Sequence, residues 1–180
     1  MIDILIDRYK GLRKQSLLKK KQFQFQYAFV GVGQHSLSNL YPVIDFLGIP
    51  LKYIHSRTKE NAELQAKKYG AIGTDNLSLI LNDPEVVAVF VCSHPKTHFG
   101  LSKEVLKAGK QLFVEKPPCF DVEELVGLME ISQNAIVQVG LQKRYAHVYS
   151  LLKKRLEKPQ HYSLRFCTGG YPEGDEWLDL

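Results

Sequence analysis

From Tyr27 to Leu156 short apolar runs alternate with stretches of helical period, and few folds accommodate that rhythm. Tyr27–Val32, Leu51–His55, Val86–Cys92, Gln111–Val114 and Ile136–Val139 read as strands. Leu37–Leu47 reads as a helix ended by Gly48 and Pro50, and Thr58 stands where it can cap a helix running to Tyr69 before Gly70. A short segment, Ala71–Thr74, and a helical turn, Asn76–Leu81, lead to Asp83-Pro84. A helix over Thr97–Ala108 stops at Gly109, Asp121 caps Val122–Ser132, and Ala146–Leu156 forms a last helix before Pro159. Val86–Cys92 is β-branched, apolar and too short for a helix, as a strand covered on both faces should be. Strand–helix units joined by short loops predict an α/β fold, a doubly wound parallel sheet with helices on both faces.

The two ends depart from this pattern. Residues 1–21 hold seven of the 24 Lys and Arg residues and two of the 19 acids, which leaves 17 of each sign elsewhere. The excess of +5 therefore belongs to this arm. Ile2, Leu5, Ile6, Tyr9 and Leu12 fall at helical spacing, so residues 1–25 read as a basic amphipathic extension that packs on the domain or on a second subunit. A nucleic-acid or membrane surface is the alternative for this arm, and no nucleic-acid motif accompanies the charge. At the other end, His161–Thr168 alternates like a half-exposed strand, and Gly169-Gly170, Pro172 and Gly174 follow as a loop. The expected organisation is an extension (1–25), a main domain (26–158) and the start of an incomplete second α/β domain (159–180). An edge strand at 161–168 leaves oligomerisation open.

Gly31-Val-Gly33-Gln34-His35-Ser36 follows the first strand and opens the first helix. This is the setting in which a glycine-rich turn cradles a pyrophosphate, whose charge is met by N–H groups at the helix start. Ser36 replaces the usual third glycine; its hydroxyl offers a bond to phosphate, and helix–strand packing should be slightly looser. A Rossmann-type dinucleotide-binding domain is thus expected from context alone. About 20 residues on, where NAD-binding domains carry an acid for the ribose hydroxyls, the chain reads His55-Ser56-Arg57-Thr58. A planar guanidinium beside hydroxyls suits a 2′-phosphate, which favours NADP and leaves NAD as the alternative.

Further on, Val91-Cys-Ser93-His94-Pro95-Lys-Thr97-His98, Leu106-Lys-Ala108-Gly109-Lys110 and Val114-Glu115-Lys116-Pro117 occur in that order. The series resembles the glucose–fructose oxidoreductase, inositol dehydrogenase and MocA family from about Tyr27 through Tyr145. The resemblance implies that Ser93, His94, Pro95 and His98 lie along the cofactor, with a structural histidine as the alternative for His98, and that Lys116 is the catalytic lysine. It also implies an often cis Lys116–Pro117 bond and a substrate that is a sugar, cyclitol or related polyol. Leu112 stands where the family has valine. A lysine at the carboxyl edge of a parallel sheet sits where such sheets bind ligands, and beside a substrate hydroxyl it can transfer a proton as hydride leaves. Glu115 is expected to orient that ammonium. Arg144 and Tyr145, in Gly140-Leu-Gln142-Lys143-Arg144-Tyr145, resemble the crossing toward the substrate, although Ala146-His147 replaces the family's following proline. Ligand contact and helix capping remain equal readings for them. Near the end, Asp179 aligns with the family's catalytic aspartate, with a plain loop carboxylate as the alternative reading.

His94 and His98 lie four apart, but Pro95 places the first ahead of the helix and no partner carboxylate has metal-site spacing, so no metal is expected. Cys92, Cys119 and Cys167 lie far apart and odd in number, which points to a reduced, cytoplasmic compartment. No apolar run approaches the ~20 residues of a bilayer span, and acids interrupt the N-terminus where a secretory signal would be apolar. Two functions follow: an NAD(P)-dependent polyol oxidoreductase whose 180 residues alone bind cofactor with little turnover, or a dinucleotide-binding or assembly module without catalysis. Lys116 separates them, since only the enzyme needs it.

Overall fold

The computed structural model describes residues 23–156 together with His161 and Ser163. Residues 1–22 of the expected N-terminal extension (1–25), the strand at 161–168 (those two residues apart) and Asp179 lie outside the described residues.

Six strands form one parallel sheet: β1 Gln26–Val30, β2 Leu51–His55, β3 Ile72–Thr74, β4 Val86–Val91, β5 Gln111–Val114 and β6 Val137–Val139. Their order across the sheet is β3-β2-β1-β4-β5-β6, so the chain winds outward one way from β1 and then, from β4, the other way. The reversal between β1 and β4 is the point at which a doubly wound sheet opens a crevice. Register places Phe29 of β1 between Ile54 of β2 and Phe90 of β4.

Five α-helices pack on the sheet: α1 Tyr41–Leu47, α2 Lys59–Tyr69, α3 Leu77–Leu81, α4 His98–Lys107 and α5 Val122–Ile131; a sixth, α6 His147–Arg155, follows with no buried residue. The period-two alternation of β1 sorts the core. Ala28 and Val30 join Ile80, Val89, Val105 and Leu128 in one cluster. Phe29 faces the other way and packs with Tyr41, Ile44, Ile54 and Ala66. A buried aromatic stack runs through this second layer, with Phe29 and Tyr41 centroids 4.3 Å apart and Tyr41 and Tyr69 centroids 5.3 Å apart. Both faces are therefore dry, as the β-branched runs required.

Most elements fall within one or two residues of their sequence-based bounds. The first helix differs in kind: Ser36–Leu40 is a π-helical turn, with the Tyr41 N–H reaching back to Ser36 O. Pro42 follows immediately and has no N–H for the usual ladder, so the wider turn is accommodated there. Gly48 ends α1 in the left-handed region, φ 66°. Asp121 caps α5 by accepting the Glu124 N–H at 2.7 Å. Thr58 occupies the cap position of α2 but makes no side-chain cap bond; its own N–H donates to Ser56 Oγ at 3.3 Å. Ala71–Thr74, too short to classify from sequence, becomes the edge strand β3 beside β2.

At the amino edge of the sheet, Lys52 at the start of β2 pairs with Asp83 at 2.5 Å and Glu85 at 2.6 Å. The Tyr53 hydroxyl also donates to Asp83 at 2.8 Å, and buried Lys110 donates to the Asp83 carbonyl at 2.5 Å. This network closes the end of the sheet away from the crevice. Among the described residues, no helix is long and apolar enough to cross a membrane.

Candidate dinucleotide site

The carboxyl ends of β1, β2, β4 and β5 open into a cleft of about 680 Å³, within the range of small-molecule and cofactor pockets. Gly31, Gly33, Gln34, His35 and Ser36 line it from the loop after β1, and Ser56 and Arg57 from the end of β2. Ser93, His94, Pro95 and His98 enter from the turn after β4, and Glu115 and Lys116 from the end of β5. Segments more than 80 positions apart in the chain thus meet at one sheet edge. Arg144 does not line the cleft; it is exposed on the 3₁₀ turn Gln142–Tyr145.

The glycine loop is held by its backbone. Gly31 has φ +122°, and a Cβ there would stand 1.9 Å from the Cys92 carbonyl oxygen. The Gly31 N–H donates to His55 O at 2.9 Å, and its carbonyl accepts the Tyr41 hydroxyl at 3.1 Å. Burial pushes the Tyr41 phenol well above its ordinary pKa. Gly33 differs: a Cβ there would meet nothing within 4 Å, so glycine leaves space on the open side of the loop. The first α-type bond of the helix runs from the Leu37 N–H to Gly33 O at 3.0 Å, and the N–H groups ahead of it are those a helix start can offer an anion. Ser36 is fully buried and donates to Gly33 O at 2.8 Å. Its hydroxyl is thus spent on closing the loop rather than turned to a phosphate.

Residues outside the predicted site also line the cleft, His55, Asn61, Thr97 and Cys92 among them. His55, buried, has Nε2 3.2 Å from the Asp75 carbonyl, and burial lowers its pKa. Asn61 lies in the first turn of α2 and lines the cleft with Arg57 and Thr58. Thr97 bonds Ser93 through their hydroxyls at 2.8 Å. Cys92 lies under the loop, and burial, with the Glu115 charge second, pushes its thiol up to about 12.

Around Lys116 the geometry is specific. The Lys116–Pro117 bond is cis. Glu115, only 8% exposed, accepts the backbone N–H of Lys116 at 3.1 Å rather than meeting its ammonium. His35 Nε2 lies 3.9 Å from the other Glu115 oxygen. Gly140 lies against that carboxylate, since a Cβ would come within 2.6 Å of Oε1. The two histidines of the β4 turn have separate tasks: His94 is exposed and its Nδ1 accepts the Lys96 N–H at 3.3 Å, whereas His98 is buried between two carbonyls. Among the described residues no three His, Cys, Asp or Glu side chains are grouped to hold a metal.

A glycine-turn crevice at the switch point of a parallel β3-β2-β1-β4-β5-β6 sheet defines a Rossmann-type dinucleotide-binding domain. Residues 25–142 match the Gfo/Idh/MocA family, described as an oxidoreductase family with an NAD-binding Rossmann fold, and the chain belongs to that family. It is 35% identical over 105 residues to the uncharacterized oxidoreductase YhhX of Escherichia coli, covering 56% of this chain and 30% of that one. It is 28% identical over 152 residues to scyllo-inositol 2-dehydrogenase (NAD(+)) of Bacillus subtilis, covering 78% and 44%. The crystal structure of an oxidoreductase from Bacillus cereus superposes with a TM-score of 0.64 at 28% identity, covering 74% of this chain and 39% of that one. The chain thus spans less than half the length of these relatives.

Proposed function

We propose that the cleft binds NADP(H) and that Lys116 serves as the proton-transfer group in hydride exchange at a hydroxyl of a sugar, cyclitol or related polyol. The observation that carries this reading is the meeting of the glycine loop and Lys116 in one cleft at the switch point. Support for the substrate class comes from relatives named as inositol and D-xylose dehydrogenases.

Gly31 and Gly33 let the backbone approach a pyrophosphate, and the N–H groups opening the helix meet its charge. At the β2 end, Ser56, Arg57, Thr58 and Asn61 line the cleft, and among the described residues the one carboxylate on its lining, Glu115, lies at the β5 end. A 2′-phosphate would find an Arg fork and neutral donors there, whereas ribose hydroxyls would find no acid, which favours NADP. The nicotinamide, once bound, supplies the hydride acceptor or donor. Lys116 then holds or returns the proton of the reacting hydroxyl, and Glu115, through the Lys116 backbone N–H, steadies the turn from which it reaches.

Titrating the chain with NADPH and NADH, then repeating with Arg57→Ala, tests the reading. Tighter NADPH binding that falls to the NADH level in Arg57→Ala is the expected result. An unchanged preference removes Arg57 from the assignment, and binding of neither nucleotide removes the reading itself.

A further inference from the structure

His98 is buried, 1% exposed, at the start of α4. Its Nδ1 lies 2.7 Å from the Pro117 carbonyl oxygen and its Nε2 3.0 Å from the Ser93 carbonyl oxygen. Carbonyl oxygens only accept hydrogen bonds. A neutral imidazole has one N–H and one lone pair, so in either tautomer one of these contacts would set lone pair against lone pair at hydrogen-bond distance. The imidazolium has two N–H groups and satisfies both. The two carbonyls lie on different parts of the site: Ser93 begins the turn that lines the cleft after β4, and Pro117 directly follows Lys116.

We propose that His98 is a positioning residue, an imidazolium whose two N–H groups fasten the Ser93 turn to the Lys116–Pro117 turn and so fix where Lys116 stands. This rests on the reading of Lys116 as the proton-transfer group, although the fastening itself needs no cofactor. The energetic logic is that of a buried cation held by two charge-assisted hydrogen bonds. The titratable groups on the two turns it joins are Cys92, His94 and Lys96 on one and Glu115 and Lys116 on the other, and α5, packed against α4, carries Glu123, Glu124 and Glu130. Glu115, one position before Lys116, is the buried acid among them. The sequence motif leaves His98 as a residue near the cofactor or a structural histidine; the two carbonyl distances give it a structural task with a charge attached.

Long-range ¹H–¹⁵N spectra of the full chain labelled on histidine nitrogens read this state directly, and His98→Gln identifies the His98 signals. At about pH 7 both His98 ring nitrogens should carry protons. As pH is raised and one proton leaves, the Ser93 and Lys116 backbone amide resonances should move in step with the ring, and in His98→Gln that movement should vanish. NADPH binding should weaken roughly threefold or more across the same range in the wild-type chain only, as the loss of one buried hydrogen bond suggests. One protonated and one bare ring nitrogen at about pH 7 overturns the proposal, as does a Lys116 amide that ignores the ring. If His98→Gln does not fold, the wild-type spectra decide alone. If neither nucleotide binds, the functional reading fails while the spectra still judge His98.

Discussion

Gly31 and the Cys92 carbonyl are packed so closely that the glycine α-hydrogen takes the place a methyl group would need, with a Cβ only 1.9 Å from the oxygen. The contact joins β1 to β4 at the switch point, where Cys92 N–H also donates to Val30 O at 2.8 Å. Backbone rather than side chain stands in the way, so no rotamer change relieves it, and φ +122° adds strain for any L side chain. Gly31→Ala should therefore destabilise the chain by about 3 kcal/mol or more, combining overpacking with backbone strain. Urea unfolding measures this, and a midpoint equal to wild type would show that the loop can shift.

Gly140 and Glu115 form a second contact of this kind, but with a side chain as the obstacle. Gly140→Ala should push the Glu115 carboxylate aside, because a Cβ would lie within 2.9 Å of both carboxylate oxygens. The bond from the Lys116 N–H to Glu115 Oε2 would then be lost or lengthened. Loss of a single charge-assisted bond suggests a stability cost of about 1.5–3 kcal/mol. The informative comparison is Glu115→Gln, which keeps an acceptor in place. Gly140→Ala should lower the thermal midpoint more than Glu115→Gln does, and equal effects would mean that the carboxylate rotates away freely.

Much of this architecture is legible in the sequence because it depends on local pattern. The β-branched run Val86–Val91, the glycine turn at Gly31 and the Asp121 cap each state their role within a few residues. Resemblance then supplied Lys116 and its cis bond to Pro117, which no local rule would. What stayed hidden depends on contacts between distant segments. Tyr41 falls within the expected helix Leu37–Leu47, yet its hydroxyl holds the Gly31 carbonyl ten positions back. Ser36 offered a hydroxyl whose target, Gly33 O, only the loop geometry decides. The same holds for His98, whose partners, Ser93 and Pro117, lie five and 19 positions away.

Tyr41→Phe isolates the hidden bond from the aromatic stack, since the ring stacked 4.3 Å from Phe29 is retained. Removing the hydroxyl leaves the Gly31 carbonyl short of one donor, and the expected cost is about 1 kcal/mol in stability. NADPH affinity should fall as well, because the freed carbonyl belongs to the loop that lines the cleft. A loss of stability with unchanged affinity would place Tyr41 in the core alone.

The opposite edge of the sheet predicts an acid limit. Asp83 accepts from the Lys52 ammonium, the Glu85 N–H and the Tyr53 hydroxyl, and these partners hold its carboxyl down to about 2. The carboxylate form is thus favoured in the folded chain over the unfolded one. Its contribution is fully present above the ordinary carboxylate pKa and is lost as pH falls through that value toward about 2. Asp83→Asn should flatten this part of the stability profile, since an amide gives up nothing to acid. Denaturant melts at about pH 5 and about pH 3 measure the difference: wild type should lose more stability between them than Asp83→Asn. Parallel losses would mean that other carboxylates set the acid limit and that the Lys52–Asp83 contact at the foot of β2 contributes little.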